Sequence, residues 1–403
     1  MPRHPCTFSL VGSLTLALAG AVCPVHAQQE EQGFAFNVSY QLQRDNNLFR
    51  LPPGADAQAL IGSTSTSDTL LVKSAGLSFD QRYSLQQVHA EIQLVDYDFQ
   101  RFSQYDLTAT NYGLRWDWAY TPQLQGRLLA DRSETVNSFD GSSTSLTSGN
   151  RRTQTRHGLD LRYDIDDHWR LQGGAFNRQD RRDQATVGED DYRQNTLEAG
   201  VRRSFGTGSH ITARVGRSDG SNLSSTAVAD DRFRQNNLWL DLLWVASGLT
   251  TVDVSLQRLS RSHTDPALDY SGLSANGSVK WRPTGKLLWT FTGASTLDSY
   301  QTASSTHART DKLGVSGLWT LSARTAVRAS VQQSRLQLLG HPSTGGVTSP
   351  RRDRTVESTL GITWQPDELF SLDASLQRRQ RNSNQALYDY GSTLFSVGLT
   401  ARF

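Results

Sequence analysis

The sequence predicts an all-β fold: a transmembrane antiparallel β-barrel of about 18 strands, within a range of roughly 14 to 18, with short periplasmic turns and long extracellular loops. Three observations carry this. Segments of about ten residues alternate apolar and polar side chains along the whole chain. Their connections alternate between a few residues and long runs rich in Ser, Thr, Asn, Asp and Gly. Tryptophan and tyrosine gather near segment ends, where amphipathic rings suit the two headgroup levels of a membrane.

Residues 1–27 read as a secretory signal: Arg3 and His4, an apolar run from Phe8 to Val22, then Val25-His26-Ala27 as a small-residue cleavage site. Residues 28–403 are left for the barrel. Lipidation at Cys23 is disfavoured by bulky Val22 before it and by Gly20 at the position where a branched residue is usual. Both cysteines, Cys6 and Cys23, fall inside the leader, so the exported chain has no thiol for an oxidising periplasm to trap. Beyond the leader nothing approaches the roughly 18 consecutive apolar residues of a membrane helix, which excludes a helical membrane protein. A formal net charge of +2 gives no reason to expect nucleic acid as a partner. The cations are nearly all arginine, with lysine only at 73, 280, 286 and 312.

The first alternating segment is Phe34, Phe36, Val38, Tyr40 and Leu42, with Asn37, Ser39, Gln41 and Gln43 between. The same alternation returns from Tyr112 to Tyr120, His157 to Ile165, Leu238 to Trp244, Leu273 to Trp281, Leu313 to Leu321 and Ser358 to Trp364. It ends with Phe395, Val397, Leu399, Ala401 and the terminal Phe403. Short connections are expected at 80–84, 120–123, 166–168, 206–209, 247–248, 282–286, 322–324 and 365–368. Long ones are expected near 44–68, 101–107, 133–152, 180–191, 218–232, 261–269, 299–310, 339–353 and 381–390. Nine long loops and eight short turns make 18 strands, and an even number puts both termini on one side. A propeller blade would bury both faces of its inner strands, whereas these strands keep one face polar.

The tryptophans at 118, 169, 244, 281, 319 and 364 lie close to short turns and predict one aromatic girdle. Tyr112, Tyr192, Tyr270 and Tyr390 open descending strands after Asn or Asp and predict the other. The apolar set then faces lipid, and the first and last strands pair, because only closure leaves no unpaired edge in hydrocarbon.

The alternate residues face the lumen. The candidates are Arg115, Arg127, Arg162, Arg170, Arg214 and Arg328, with Asp117, Asp160, Asp253 and Asp373. An arginine among them would cost about 2 to 4 kcal/mol at the lipid midplane, so their number assigns the faces. Arginine grips carboxylate or phosphate at two points, which suits a lumen that conducts or guides an acidic polymer. The same arginines could instead pair with wall carboxylates and stiffen the barrel.

Catalysis has little support. The histidines after the leader are scattered; His263 with Asp265, and His157 with Asp160, are the nearest approaches to a catalytic pair. No metal site and no cofactor are expected, although Asp45-Asn46-Asn47 and Glu189-Asp190-Asp191 supply oxygens of the kind calcium takes.

The stretch "FNVSYQLQRDNNLFRLPPGAD", Phe36 to Asp56, resembles the N-terminal segment of the EpsL-type outer-membrane proteins, a β-barrel porin family found with exopolysaccharide biosynthesis. An opening strand there leads into a D-[DN]-N-[LI]-[FY]-R motif, matched by Asp45, Asn46, Asn47, Leu48, Phe49 and Arg50. The resemblance implies an integral outer-membrane porin of a Gram-negative bacterium serving exopolysaccharide export. Its expected partners are outer-membrane lipid and lipopolysaccharide, the outer-membrane insertion machinery, the polysaccharide and periplasmic export components. Phe403 likewise resembles the terminal aromatic that serves as an insertion signal in this class. A general or solute-specific porin, and a structural or adhesive barrel acting through its loops, are the alternatives.

Overall fold

A computed structural model describes residues 33–137, 139, 151–183, 191–223, 232–302, 305–340 and 350–403. The predicted leader, both cysteines, Glu189 and Asp190 lie outside the described residues. The strands are β1 (Gly33–Asp45), β2 (Asp68–Tyr83), β3 (Gln86–Phe99), β4 (Leu107–Ala119), β5 (Leu124–Val136) and β6 (Arg151–Asp164). Next come β7 (Trp169–Arg182), β8 (Tyr192–Ser204), β9 (His210–Asn222), β10 (Arg232–Ser247), β11 (Thr250–His263) and β12 (Tyr270–Thr284). The remainder are β13 (Leu287–Thr302), β14 (Ser305–Ser322), β15 (Thr325–Leu339), β16 (Arg352–Trp364), β17 (Phe370–Ser383) and β18 (Tyr390–Arg402). Each pairs antiparallel with its sequence neighbours, and β1 pairs with β18, so the 18-stranded sheet is closed.

The seam sets Val38 opposite Ala401, Tyr40 opposite Leu399 and Leu42 opposite Val397. Phe36 and Phe403 extend it by exchanging backbone hydrogen bonds of 2.8 and 2.7 Å. With every edge paired, no backbone polar group of the ladder faces hydrocarbon.

At 13 to 18 residues the strands exceed the expected ten, because their long-loop ends continue as paired ladder into water. The segment 299–310, expected as a long loop, is instead a standing hairpin: Ser299 lies opposite His307 and Thr302 opposite Ser305. Its Ser and Thr content suits a ladder, since Thr favours strands and a hairpin above the membrane has no need of an apolar face.

The short turns are held by local capping. Asp166 accepts from the amides of His168 and Trp169, both at 2.7 Å, and these amides hold its carboxyl below the ordinary carboxylate range. Asp367 repeats the device with Leu369 at 2.9 Å and Phe370 at 2.8 Å. Trp169, Trp244, Trp281, Trp319 and Trp364 stand exposed on the outer face near these turns.

The girdle expected at the other end is not built as predicted. Tyr112 faces outward, but Tyr270 and Tyr390 are 7% and 2% exposed, and Tyr192 shares strand parity with Glu198 and Arg202 on the inner face. Parity decides this: on β12 and β18 the outward positions are those of Leu273 and Phe395, odd-numbered, and these tyrosines are even.

The loops joining the far strand ends carry a direct test of orientation. Cysteines placed at Ser143 and Ser343, both outside the described residues, are expected to react with an impermeant maleimide in whole cells. Labelling that requires disruption of the outer membrane would reverse the assigned topology.

Candidate functional site: the lumen and its mouth

Strand parity turns the ten predicted lumen residues inward, and their partners divide them. Arg127 pairs with Asp117 at 2.5 Å, and Arg115 shares the same carboxylate at 3.1 Å. Arg170 holds Asp164 in a two-point grip across the β6–β7 hairpin. Arg214 bridges Glu198 at 3.2 Å and Asp241 at 2.9 Å, and lies 5.0 Å from the ring of Trp239. That indole faces inward too and spreads across Gly216, where a Cβ would come within 2.8 Å of it. Asp373 accepts from Thr363 at 2.6 Å. Asp253 feels the charges of Asp241 and Lys280, and Arg328 lines β15 without a carboxylate at ion-pair distance among the described residues.

Two further inward arginines differ, like Arg328, from this paired set. Arg162 on β6 and Arg202 on β8 have no carboxylate within ion-pair distance among the described residues. Arg202 donates only to the Thr212 hydroxyl at 3.3 Å, and it stands directly opposite Arg170, whose charge is taken by Asp164. Like charges placed opposite each other repel; around Arg162 and Arg202 the neighbouring cations Arg127, Arg170 and Arg214 are accompanied at longer range by Asp160, Asp117 and Asp241.

Nearer the long loops the lumen residues form closed pairs. Asp180, 1% exposed, is gripped by Arg152 at 2.6 and 3.0 Å and by Gln154 at 2.7 Å. Arg351 grips Asp353 at 2.6 and 2.9 Å with its guanidinium 3.6 Å from the Tyr388 ring. Arg381 stacks 4.5 Å from Tyr390. Buried pairs like these hold the strand ends in register, and loss of one partner costs about 3 to 5 kcal/mol.

The mouth holds what the polar-lumen expectation missed. Leu70, Val72, Val95, Tyr97, Phe99, Leu107 and Ala109 are buried on the inner faces of β2, β3 and β4. They are covered by the β1–β2 connection, which folds back into the barrel and sets Leu48 and Phe49 on them; Leu51 and Ile61, the latter at the end of the short helix α1 (Ala57–Ile61), pack beside these. Phe49 meets Phe102 at 4.7 Å, Phe139 at 4.9 Å and Tyr105 at 5.8 Å. Glu134 bridges the place where β4 and β5 part, accepting from the Thr110 amide at 2.9 Å while its own amide donates to Asn111 at 2.7 Å. The sequence does hold a sign of this wall: Leu70, Leu71 and Val72 are three consecutive apolar residues that break the period of two.

Asp45 to Arg50 is the latch of that loop. Asn46 accepts from the Thr393 amide at 2.7 Å, and Asn47 donates to Gly391 at 3.1 Å, so both asparagines bind β18 across the seam. Asn47 also exchanges hydrogen bonds with Leu51 at 2.9 and 3.0 Å. Asp45 takes the Asn47 amide at 2.9 Å and the Arg50 guanidinium at 2.7 Å. Arg50 itself adopts φ +57, a left-handed turn that non-glycine residues rarely take and that aims Phe49 at the wall. The side-chain oxygens of Asp45, Asn46 and Asn47 are thus occupied by backbone amides and the Arg50 guanidinium.

The weighed catalytic pairs are not assembled. His157 and Asp160 lie on opposite faces of β6, and Asp265 caps a turn at the Ala267 amide, 2.9 Å away.

A family model described as "Putative beta-barrel porin 2" matches residues 245–403. No functionally curated protein matches in sequence. Solved barrels do match in shape. Pseudomonas aeruginosa OccK9 (OpdG) has a TM-score of 0.54 at 12% identity, over 93% of this chain and 99% of that one. Acinetobacter baumannii OccAB3 scores 0.52 at 8% identity, over 93% and 100%. Pseudomonas aeruginosa OccK2 (OpdF), solved in complex with glucuronate, scores 0.51 at 12% identity, over 94% and 100%. The chain shares the closed β-barrel fold of these outer-membrane proteins, and its C-terminal part matches a β-barrel porin family.

Proposed function

We propose that this barrel is a diffusion channel for small acidic solutes, with Arg162 and Arg202 as the anion contacts of its lumen. The observation that carries this reading is their lack of carboxylate partners in a wall where Arg115, Arg127, Arg170 and Arg214 are all paired. A mobile carboxylate would be held at two points by a planar guanidinium and released because water competes in an open lumen. The inward loop narrows the mouth from the β2–β4 side and favours small solutes over bulky ones. Export of exopolysaccharide is the second reading. It draws on the resemblance of Asp45 to Arg50, residues that form the loop latch, and it requires the latch to open for a polymer.

Reversal potentials in planar bilayers test the proposal. Wild-type barrels are expected to prefer anions, and R162Q/R202Q is expected to lose that preference while migrating as a folded, heat-modifiable band. A preference unchanged in R162Q/R202Q would remove the two arginines from the permeation path. In R127Q the Asp117 carboxylate keeps Arg115, so selectivity should move less. Glucuronate should slow wild-type current at concentrations that leave R162Q/R202Q unaffected. Polysaccharide that accumulates in the periplasm after gene deletion, with no glucuronate effect on current, would favour the export reading instead.

A further inference from the structure

The outer face of β14 to β17 carries a charge pattern that neither the fold nor conduction uses. At the long-loop ends of these strands Arg309, Arg335, Arg352, Arg354 and Arg378 are all exposed and share the parity of lipid-facing Leu313, Val331, Val356, Leu360 and Leu376. One outward acid accompanies them among the described residues, Asp311, which takes Arg309 at 3.1 Å and stands opposite Arg335 on the neighbouring strand, so five cations share one carboxylate. Arg335 and Arg354 are register partners, two cations directly opposite each other on neighbouring strands. Arg354 spends one donor on Gln333 at 2.7 Å, a neutral acceptor. The connection between β15 and β16, residues 340–351, contains no Asp or Glu that could reach over and neutralise them.

Elsewhere on this rim, single outward arginines such as Arg44, Arg193 and Arg258 stand apart from one another, and several outward cations are matched. Lys73 binds Asp98 and Asp96, Arg132 binds Glu134, and Arg217 and Arg234 share Asp219 at 3.0 Å each. Opposed like charges destabilise a sheet unless an anion lies between them. The position also says which anion. Below the arginines the outward column passes Gln333, Gln380 and Ser358 and becomes apolar through Leu313, Val331 and Val356 to Leu360 and Leu376, so a molecule on this patch reaches hydrocarbon-facing wall beneath its charged group.

We propose that this patch binds the phosphates of an outer-leaflet glycolipid, lipopolysaccharide, with its acyl chains lying along the apolar column. Arg335 and Arg354 form a two-sided phosphate grip, and Arg378, two outward positions nearer the midplane on β17, reaches the sugar–acyl boundary. The bound lipid replaces the missing carboxylates and fixes the rim of the barrel in the outer leaflet.

The test uses the full barrel purified from outer membranes in mild detergent, with retained lipid measured by native mass spectrometry. Wild-type protein should keep bisphosphorylated lipid A through exchange into fresh detergent. R335Q/R354Q/R378Q, which exchanges polar for polar at exposed sites and keeps the heat-modifiable fold, should retain it about tenfold less. R217Q/R234Q, altered where the charges are matched, should retain it as wild type does. Equal retention by the triple variant, or equal retention of enzymatically dephosphorylated lipid A, overturns the proposal. Displacement of the lipid by millimolar inorganic phosphate would also overturn it, by showing an ion site without a lipid component.

Discussion

Replacing Phe49 by alanine is expected to produce a channel of larger conductance that no longer shows the wild-type level. Phe49 is 5% exposed and makes edge contacts with Phe102, Tyr105 and Phe139, so it is the largest apolar anchor of a loop that also sets Leu48, Leu51 and Ile61 on the wall. A buried Phe to Ala change costs about 3 to 5 kcal/mol. Because about 1.4 kcal/mol is tenfold, the loop's docking equilibrium moves at least a hundredfold towards release. The barrel itself should survive, since its ladder closes without the loop and heat-modifiable migration reports that closure. Asn47→Ala should give a weaker form of the same effect by removing the bonds to Leu51 and Gly391. Release can be read a second way: Arg50, buried beside Asp45, should become a trypsin site in the variant. Unchanged single-channel conductance with Arg50 still protected would mean that the loop does not narrow the path.

How much of this could be read beforehand follows from what period two encodes. Alternation such as Phe34 to Leu42 or Phe395 to Phe403 names the strand, its lipid face and its closure partner, because a one-residue slip would put Gln or Arg in hydrocarbon. The turns at 120–123 and 365–368 were legible for the same reason, as a pause in alternation. What alternation cannot express is a face that is apolar on both sides. Leu70-Leu71-Val72 needed Leu48 and Phe49 to cover it, and the loop between them held no periodic pattern to say that it folds inward. Tyr192, Tyr270 and Tyr390 were assigned by their place at strand ends, although counting two by two from Leu197, Leu273 and Phe395 turns each one inward. Ion pairs add a further layer. Arg127 meets Asp117 across a short turn and could be anticipated from hairpin register, but the isolation of Arg162 and Arg202 depends on where every neighbouring carboxylate has gone.

Loss of Phe403 is expected to lower the folded barrel in the outer membrane, and two variants separate the reasons. The residue ends the seam: its amide donates to Phe36 at 2.7 Å, its carbonyl accepts at 2.8 Å, and its ring stacks on Phe36 at 6.4 Å. Deletion removes both backbone bonds, worth about 1 kcal/mol each, along with a lipid-facing aromatic that is 63% exposed. Phe403→Asp keeps the backbone and so keeps the bonds to Phe36. Near the interface an acid on the lipid face costs only about 0 to 1 kcal/mol, so the seam alone predicts a mild effect for this variant. If the terminal ring also serves as an insertion signal, Phe403→Asp should instead fall as far as the deletion, because recognition loses the aromatic in both. Quantifying the heat-modifiable band in isolated outer membranes decides between them: deletion low with Phe403→Asp near normal assigns Phe403 to closure, and both low assigns it to recognition. Normal folded levels in both would show that the seam from Asn37 to Asp45, paired with Leu394 to Arg402, closes without its last residue.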